Sequence, residues 1–403
     1  MLGSSGTNGK LCIRGTKQDY DDWNIPGWSR EEVFGYMKKA ENFHDKKWFK
    51  ADEQNHGYDG LLNVGSYDSA PISNMILESM EDLGLRKQPY MFTTGDNPHG
   101  CGHVPRTVYK GDRTTADGYF VNKGPNLAVK TETTVDKVIL EGEGEGDKLK
   151  AVAVKVIEKD GSMREIKATK EIIEGRDPMG LTSAQLNIEF FSTECYGGLK
   201  QFTDFLDGEN SHAFSLIAEL FAPKSRGSVT LKSADPKDNP IVYHNYLSEE
   251  LDVVVLSEAC KFANEIITQG KGTRDIVDGS WPAALTHHKN TEREDWVPFV
   301  RDNATTCYHP AGTAKMGTDF DPMAVLDSEL RVRGVKGLRV ADTSVMPLLN
   351  QGHTQMPAYA IGEKAADLIK GKSLGMSSLT EKIGSNTLSQ AQNNNSNGTL
   401  VLN

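Results

Sequence analysis

No apolar stretch reaches the roughly 18 residues that a membrane-crossing helix needs, so a transmembrane span is not expected. The opening MLGSSGTNGK lacks an apolar core, and no signal peptide is legible in it; the compartment stays open. Cysteine is scarce, with five in 403 residues at positions 12, 101, 195, 260 and 307. They are odd in number and form no Cys-x-x-Cys, which argues against a disulfide framework or a zinc module; isolated buried thiols are expected. Ten histidines are present, but neither His-x-His nor His-Glu-x-x-His spacing occurs, and no metal site is expected. Basic residues are outnumbered, 45 Lys and Arg against 56 Asp and Glu. A net charge of −11 offers no footprint for nucleic-acid phosphates.

What is there suits a loop-rich globular chain, with 37% hydrophobic residues and 39 glycines. The length exceeds the usual size of one hydrophobic core, so two structural units are the expectation. Ser29-Arg30-Glu31-Glu32 is a capping box that predicts a helix burying Val33, Tyr36 and Met37. A second helix is predicted from Pro71 to Leu83, stopped by Gly84 and burying Ile72, Met75, Ile76 and Met80.

The period then shortens. Leu127–Val129, Val135–Leu140, Ala151–Ile157 and Met163–Ile166 predict short strands, with the run from Glu141 to Asp147 as a solvated hairpin tip. Val229–Leu231 predicts another strand. Ser248 is expected to cap a helix reaching about Gln269, with Leu251, Val254, Val255, Ala259, Phe262 and Ile266 inside. Beyond Lys372 the chain is rich in Ser, Asn, Gln and Gly, and disorder is expected over 373–403, where two Asn-x-Ser/Thr sequons read as chance.

The chemistry concentrates in residues 305–370. His309 and His353 sit in Gly/Pro-rich loops, where a scaffold commonly holds groups that exchange protons near neutral pH. Gly312 and Gly352 permit close backbone approach to a flat or anionic ligand. A helix predicted from Ala358 to Ile369 follows His353, and its N-terminus would favour an anion. Spacing alone leaves open two unrelated loop histidines.

CYHPAGTAKMG, LRVRGVKGLRVADTSVMP and GHTQMPAYAIGEKAADLI resemble the C-terminal signature of the glucose-methanol-choline oxidoreductases. SRGSVTLKSADPKDNPIVYHNYL is similar to the start of the same region, and NLAVKTETTVDKVIL to the strand pair before the adenine contact. MLGSSGTNGKLCIRGTKQDYDDW resembles the family's Gly-Gly-Ser-Ser segment with one glycine missing.

The resemblance implies an α/β fold: a Rossmann-like FAD-binding domain, here incomplete, and a substrate domain with an antiparallel sheet flanked by helices. The first would comprise 1–25, 120–175 and 320–372, the second 26–119 and 176–319. It implies oxidation of a primary or secondary alcohol, with FAD as hydride acceptor, His309 as base and His353 as partner to the substrate oxygen. Two histidines here resemble the glucose- and aryl-alcohol-oxidising branches more than the choline branch. Oxygen, a quinone or another acceptor would reoxidise the flavin. Cofactor contacts carried over are Asn8, Val135, Asp342, Thr343, Gly352, Thr354 and Gln355. Phe92, Phe191 and Trp281 are candidate pocket walls.

Two departures stand out. No GxGxxG occurs in the chain, so the family's phosphate-binding turn is not in it. Near Glu174 the text passes directly to GRDPMGLTS, which resembles a substrate-domain segment from further downstream; an internal deletion is the expectation. A parallel sheet so deprived would leave a strand edge unpaired. Two other readings remain: a non-redox lyase or cyclase on the same fold, and a remnant that binds no FAD.

Overall fold

The computed structural model describes residues 4–49, 54–66, 68–96, 99–121, 124–142, 149–174, 188–193, 212–221, 223–281, 286–372 and 400–402. Most of the expected hairpin tip, the join after Glu174, Cys195 and both sequons lie outside them. No described helix is long and apolar enough to cross a membrane. The four described cysteines are free thiols.

Helix α1 (Lys17–Asp21) starts at a reciprocal cap. Thr16 Oγ1 accepts from the Asp19 N–H, and the Asp19 carboxylate accepts from the Thr16 N–H. Helix α2 (Arg30–Ala40) starts at the expected Ser29–Glu32 pair, where Glu32 accepts both the N–H and the O–H of Ser29. Val33, Tyr36 and Met37 are buried as the periodicity requires. Strands β1 (Glu41–His44) and β2 (Leu62–Gly65) pair in parallel. Helix α3 (Pro71–Asp82) buries Ile76 and Met80 and ends beside Gly84, whose φ of +94° only glycine adopts without strain. Short elements follow: α4 (Met91–Thr94), β3 (Val108–Tyr109), β4 (Asp112–Arg113) and α5 (Gly118–Val121).

The expected antiparallel run is present as β5 (Thr134–Glu141), β6 (Leu149–Ile157) and β7 (Met163–Lys167). Leu127–Val129 is not a strand. Leu127 and Val129 are 41% and 39% exposed, and no described strand pairs with them. Strand β8 (Ile172–Glu174) is followed by β9 (Ile188–Thr193) and β10 (Ser215–Leu220), which pair antiparallel. β11 (Ser228–Thr230) and β12 (Ile241–Tyr243) form a hairpin that ends before Leu231, a residue 80% exposed.

Helix α6 (Glu250–Gln269) departs from expectation at its start. Its N-cap is Glu249, while Ser248 Oγ accepts from Asn245 Nδ2 instead. Leu251 is exposed, and Asp252 and Val253 turn inward. The reason is polar: the Asp252 carboxylate accepts from Lys224 N, Ser225 N and Ser225 Oγ, so satisfying it outweighs burying one leucine. Helix α7 (Arg293–Asn303) packs on α6.

In the C-terminal block, β13 (Val335–Lys336) pairs in parallel with β6, and β14 (Leu338–Val340) with β8. Helix α8 (Gln355–Ile369) begins one turn earlier than expected, because Pro357 is tolerated in a first turn where N–H groups have no intrahelical acceptor. Leu400–Leu402, within the tail where disorder is expected, is a strand. β15 (Leu400–Leu402) adds in parallel to the other side of β8, covering an edge expected to be open.

The largest core cluster joins Cys12–Val64 to Ala311–Ala365. Trp23 and Trp28 span it, donating Nε1–H to the carbonyls of Leu348 and Ser328. α2 packs on α8, and both contribute to this core. That packing fixes the loop before α8.

Candidate active site

His309 and His353, 44 residues apart, meet. His353 Nδ1 lies 3.0 Å from His309 Nε2, and the rings stand edge to face at 4.6 Å between centroids. The loop carrying His309 runs beside the 3-10 turn Thr343–Val345: Ala314 and Met316 donate to the carbonyls of Ser344 and Val345, and Thr343 Oγ1 donates to the Pro310 carbonyl. Asp342 caps that turn by accepting from Ser344 N. His353 is placed by the α8 start, where Thr354 is the N-cap and Gln355 the first residue.

Close backbone packing holds the His353 loop against the N-terminal segment. A Cβ on Gly352 would come within 2.8 Å of Ile13 Cγ2 and 3.1 Å of Gly15 N. Asp19, from the α1 cap, also accepts from Gln351 N. Burial pushes the Asp19 carboxyl up to about 6, against the pull of its hydrogen bonds. A folded-state pKa above the usual Asp value near 3.8 stabilises the fold below that value, and the benefit is lost as pH rises through about 6. Asp19→Asn is therefore expected to flatten this component, worth on the order of 2–3 kcal/mol. Denaturant titrations of both proteins at pH 4 and pH 7 check it; a constant wild-type-minus-variant difference would contradict it.

Two carboxylates that sequence reasoning missed complete the site. Glu189 and Glu219 are direct partners in the β9–β10 register. Glu189 Oε1 lies 3.3 Å from His353 Nε2. Glu219 lies 3.7 Å from His353 Nε2 and 3.5 Å from His309 Nδ1, with neither oxygen hydrogen-bonded. Each glutamate sits alone in an apolar strand, IEFFST and SLIAEL, where alternation alone reads it as an outward residue. The signal available was a single carboxylate bracketed by apolar side chains.

Burial and the neighbouring His353 lower the His309 pKa to about 3, so His309 is neutral across the working range. Burial also acts against a charge on His353, but the Glu189 hydrogen bond and both carboxylates outweigh it and raise its pKa. Glu219 is pushed up to about 8 by burial, with Glu189 adding to the rise and His353 opposing it. Phe221 stacks on His309 and stands edge-on to His353, as does Phe191. Of the other two expected walls, Phe92 lies in α4 with its carbonyl taken by Arg14 N–H, and Trp281 borders residues outside the described set.

The remaining expected contacts divide. Asp342, Thr343, Gly352, Thr354 and Gln355 lie in the loops that build the histidine pair. Val135 belongs to β5, opposite Val156. Asn8 braces its own segment, its Oδ1 accepting from Lys10 N and Arg113 Nη1.

This chain matches two family models, both described as GMC oxidoreductase, over residues 2–175 and 223–362. It belongs to that family of FAD-dependent oxidoreductases acting on alcohols. Among its relatives, the glucose dehydrogenase [FAD, quinone] of Drosophila pseudoobscura pseudoobscura is 29% identical, over 91% of this chain and 73% of its own length. An oxygen-dependent choline dehydrogenase of Sinorhizobium medicae is 27% identical, over 92% and 81%. The first match spans 468 residues, more than the 403 of this chain, so the relative carries residues within it that this chain does not. The fold is also that of an Aspergillus oryzae formate oxidase, with TM-score 0.77 at 20% identity over 93% of this chain and 84% of that one.

The residues present fit the ring end of FAD. Asn350 Oδ1 and Gln355 Oε1, flanking the His353 loop, are buried acceptors without a partner, as an N–H-bearing heteroaromatic ring would require. The phosphate end has no glycine-rich turn in this sequence.

Proposed function

We propose that this protein oxidises a primary or secondary alcohol, with His309 as the base. FAD, when bound, supplies the acceptor for the hydride leaving the carbinol carbon. The observation that carries the reading is the direct pairing of a neutral imidazole with one biased toward its cation. Protonated His353 donates Nε2–H to Glu189 and turns Nδ1–H toward His309 Nε2. An alcohol oxygen entering between the rings would take over that Nδ1–H, and its own proton would pass to His309 Nε2. The carbonyl product keeps the oxygen, and the proton stays on His309 until solvent removes it. The 3.0 Å contact must open to admit the oxygen, since hydrogen bonds to both rings are each about 2.6–3.2 Å long.

Thr354, Gln355 and Gly352 support the reading as ring contacts, and Asp342 and Thr343 as anchors of the His309 loop. Phe191 and Phe221 favour an alcohol with an apolar or aromatic body over a polyol. Anaerobic addition of benzyl and aliphatic alcohols to the FAD-reconstituted chain tests the reading. Bleaching of the oxidised-flavin band is expected. Bound flavin that stays oxidised with every alcohol, while a carbon–carbon or carbon–oxygen bond is cleaved, would replace it with the lyase reading.

A further inference from the structure

We propose that Glu189, Glu219 and His353 form a binding site for one zinc-like divalent transition-metal ion. The site does not depend on the redox reading, because all its ligands come from this chain and none requires flavin.

The geometry is that of a three-ligand site with an open position. One donor atom from each residue lies within 4.8 Å of the others, and His353 Nε2 stands 3.3 Å from Glu189 Oε1 and 3.7 Å from Glu219 Oε2. With zinc–ligand distances of about 2.0–2.1 Å, tetrahedral ligands sit about 3.3 Å apart, so both histidine–carboxylate separations already match to within a few tenths of an ångström. The two carboxylates are held by backbone pairing rather than by a loop, because Glu189 and Glu219 face each other across the β9–β10 ladder.

A second observation points to a missing cation. Glu219 is 6% exposed, and both of its oxygens are buried without a hydrogen bond. A buried carboxyl group with neither oxygen hydrogen-bonded is costly whether or not it is ionised, and an ion that displaces its proton relieves it. Two carboxylates also neutralise a divalent charge in full, with neutral His353 adding none. Outside the ligand set, His309 Nε2 lies 3.0 Å from His353 Nδ1. In the metal-bound form that contact would accept the Nδ1–H and fix the tautomer that leaves Nε2 for the ion. Imidazole and carboxylate ligands suit zinc, cobalt(II) and manganese(II) more than soft ions. The ion would take the nitrogen that now binds Glu189, and leave Nδ1–H directed at His309.

The test uses the full chain, freed of metal with a chelator and then titrated with cobalt(II). Expected are visible ligand-field bands of low-symmetry cobalt saturating at one equivalent, and displacement by zinc. Glu219→Gln and His353→Ala, each shown to be folded by circular dichroism, should weaken binding at least about a hundredfold. X-ray absorption on the zinc-loaded wild-type chain needs no variant: it should show only nitrogen and oxygen neighbours, one from imidazole. No stoichiometric cobalt spectrum would overturn the proposal. So would unchanged binding in both folded variants, or a sulfur neighbour, which would move the ion to the alternative cluster Glu219–Cys307–His309. Each such result leaves the alcohol chemistry to its own test.

Discussion

His309→Ala is expected to slow alcohol-driven flavin reduction by about 10²–10⁴-fold, the usual worth of a positioned general base. The expectation rests on the proposed role and on a feature of the site. His309 is the ring of the pair whose pKa falls, to about 3, so it is unprotonated at ordinary pH and has a vacant nitrogen for the alcohol proton. His353 cannot take over, because its Nε2 is committed to Glu189 and the carboxylates favour its protonated form. Flavin affinity should change little, since the His309 loop is held by the Thr343–Pro310 bond and the ring by Phe221 packing, and His309 does not hold the ring contacts itself. Rapid mixing under anaerobic conditions reads the rate, and the flavin-to-protein ratio reads the affinity. Wild-type reduction kinetics in the variant would remove His309 from the chemistry.

The second large effect lies away from the histidines. Arg14 and Glu41 form an ion pair with both side chains 1% exposed, and His56 Nδ1 lies 3.1 Å from the same carboxylate oxygen. The Arg14 guanidinium also donates to the Asn55 and Thr93 carbonyls, tying the N-terminal segment to β1 and α4. Glu41→Ala leaves that guanidinium buried without a counter-charge. Such a loss costs about 3–5 kcal/mol, which for a chain of this size lowers the melting temperature by about 4–6 °C. Arg14 is followed by Gly15, which packs against Gly352, so the histidine loop should loosen with it. Thermal unfolding monitored by circular dichroism checks this. A shift of under about 2 °C would show that Arg14 finds other partners.

The histidine pair was legible because the C-terminal block is long and specific, and because helix capping is local. Ser29–Glu32 and Gly84 mark their helix ends from neighbouring residues alone. The glutamates were not legible, because what makes them part of the site is the pairing of Glu189 with Glu219 across two strands separated in sequence. The α6 start failed for a related reason: Ser248 is a good local cap, but Asp252 is drawn inward by the backbone of Lys224 and Ser225. Leu127–Val129 has strand composition without a partner, and Leu400–Leu402 gains its partner only because an edge of β8 is available. In each case the deciding contact is non-local.

The most direct test of the account is anaerobic single-turnover reduction of the FAD-loaded chain by an alcohol deuterated at the carbinol carbon. Loss of the oxidised-flavin band is expected, slowed several-fold by the deuterium in wild type and nearly abolished in His309→Ala. Bound flavin that no alcohol reduces, or reduction that proceeds equally fast in His309→Ala, would contradict it.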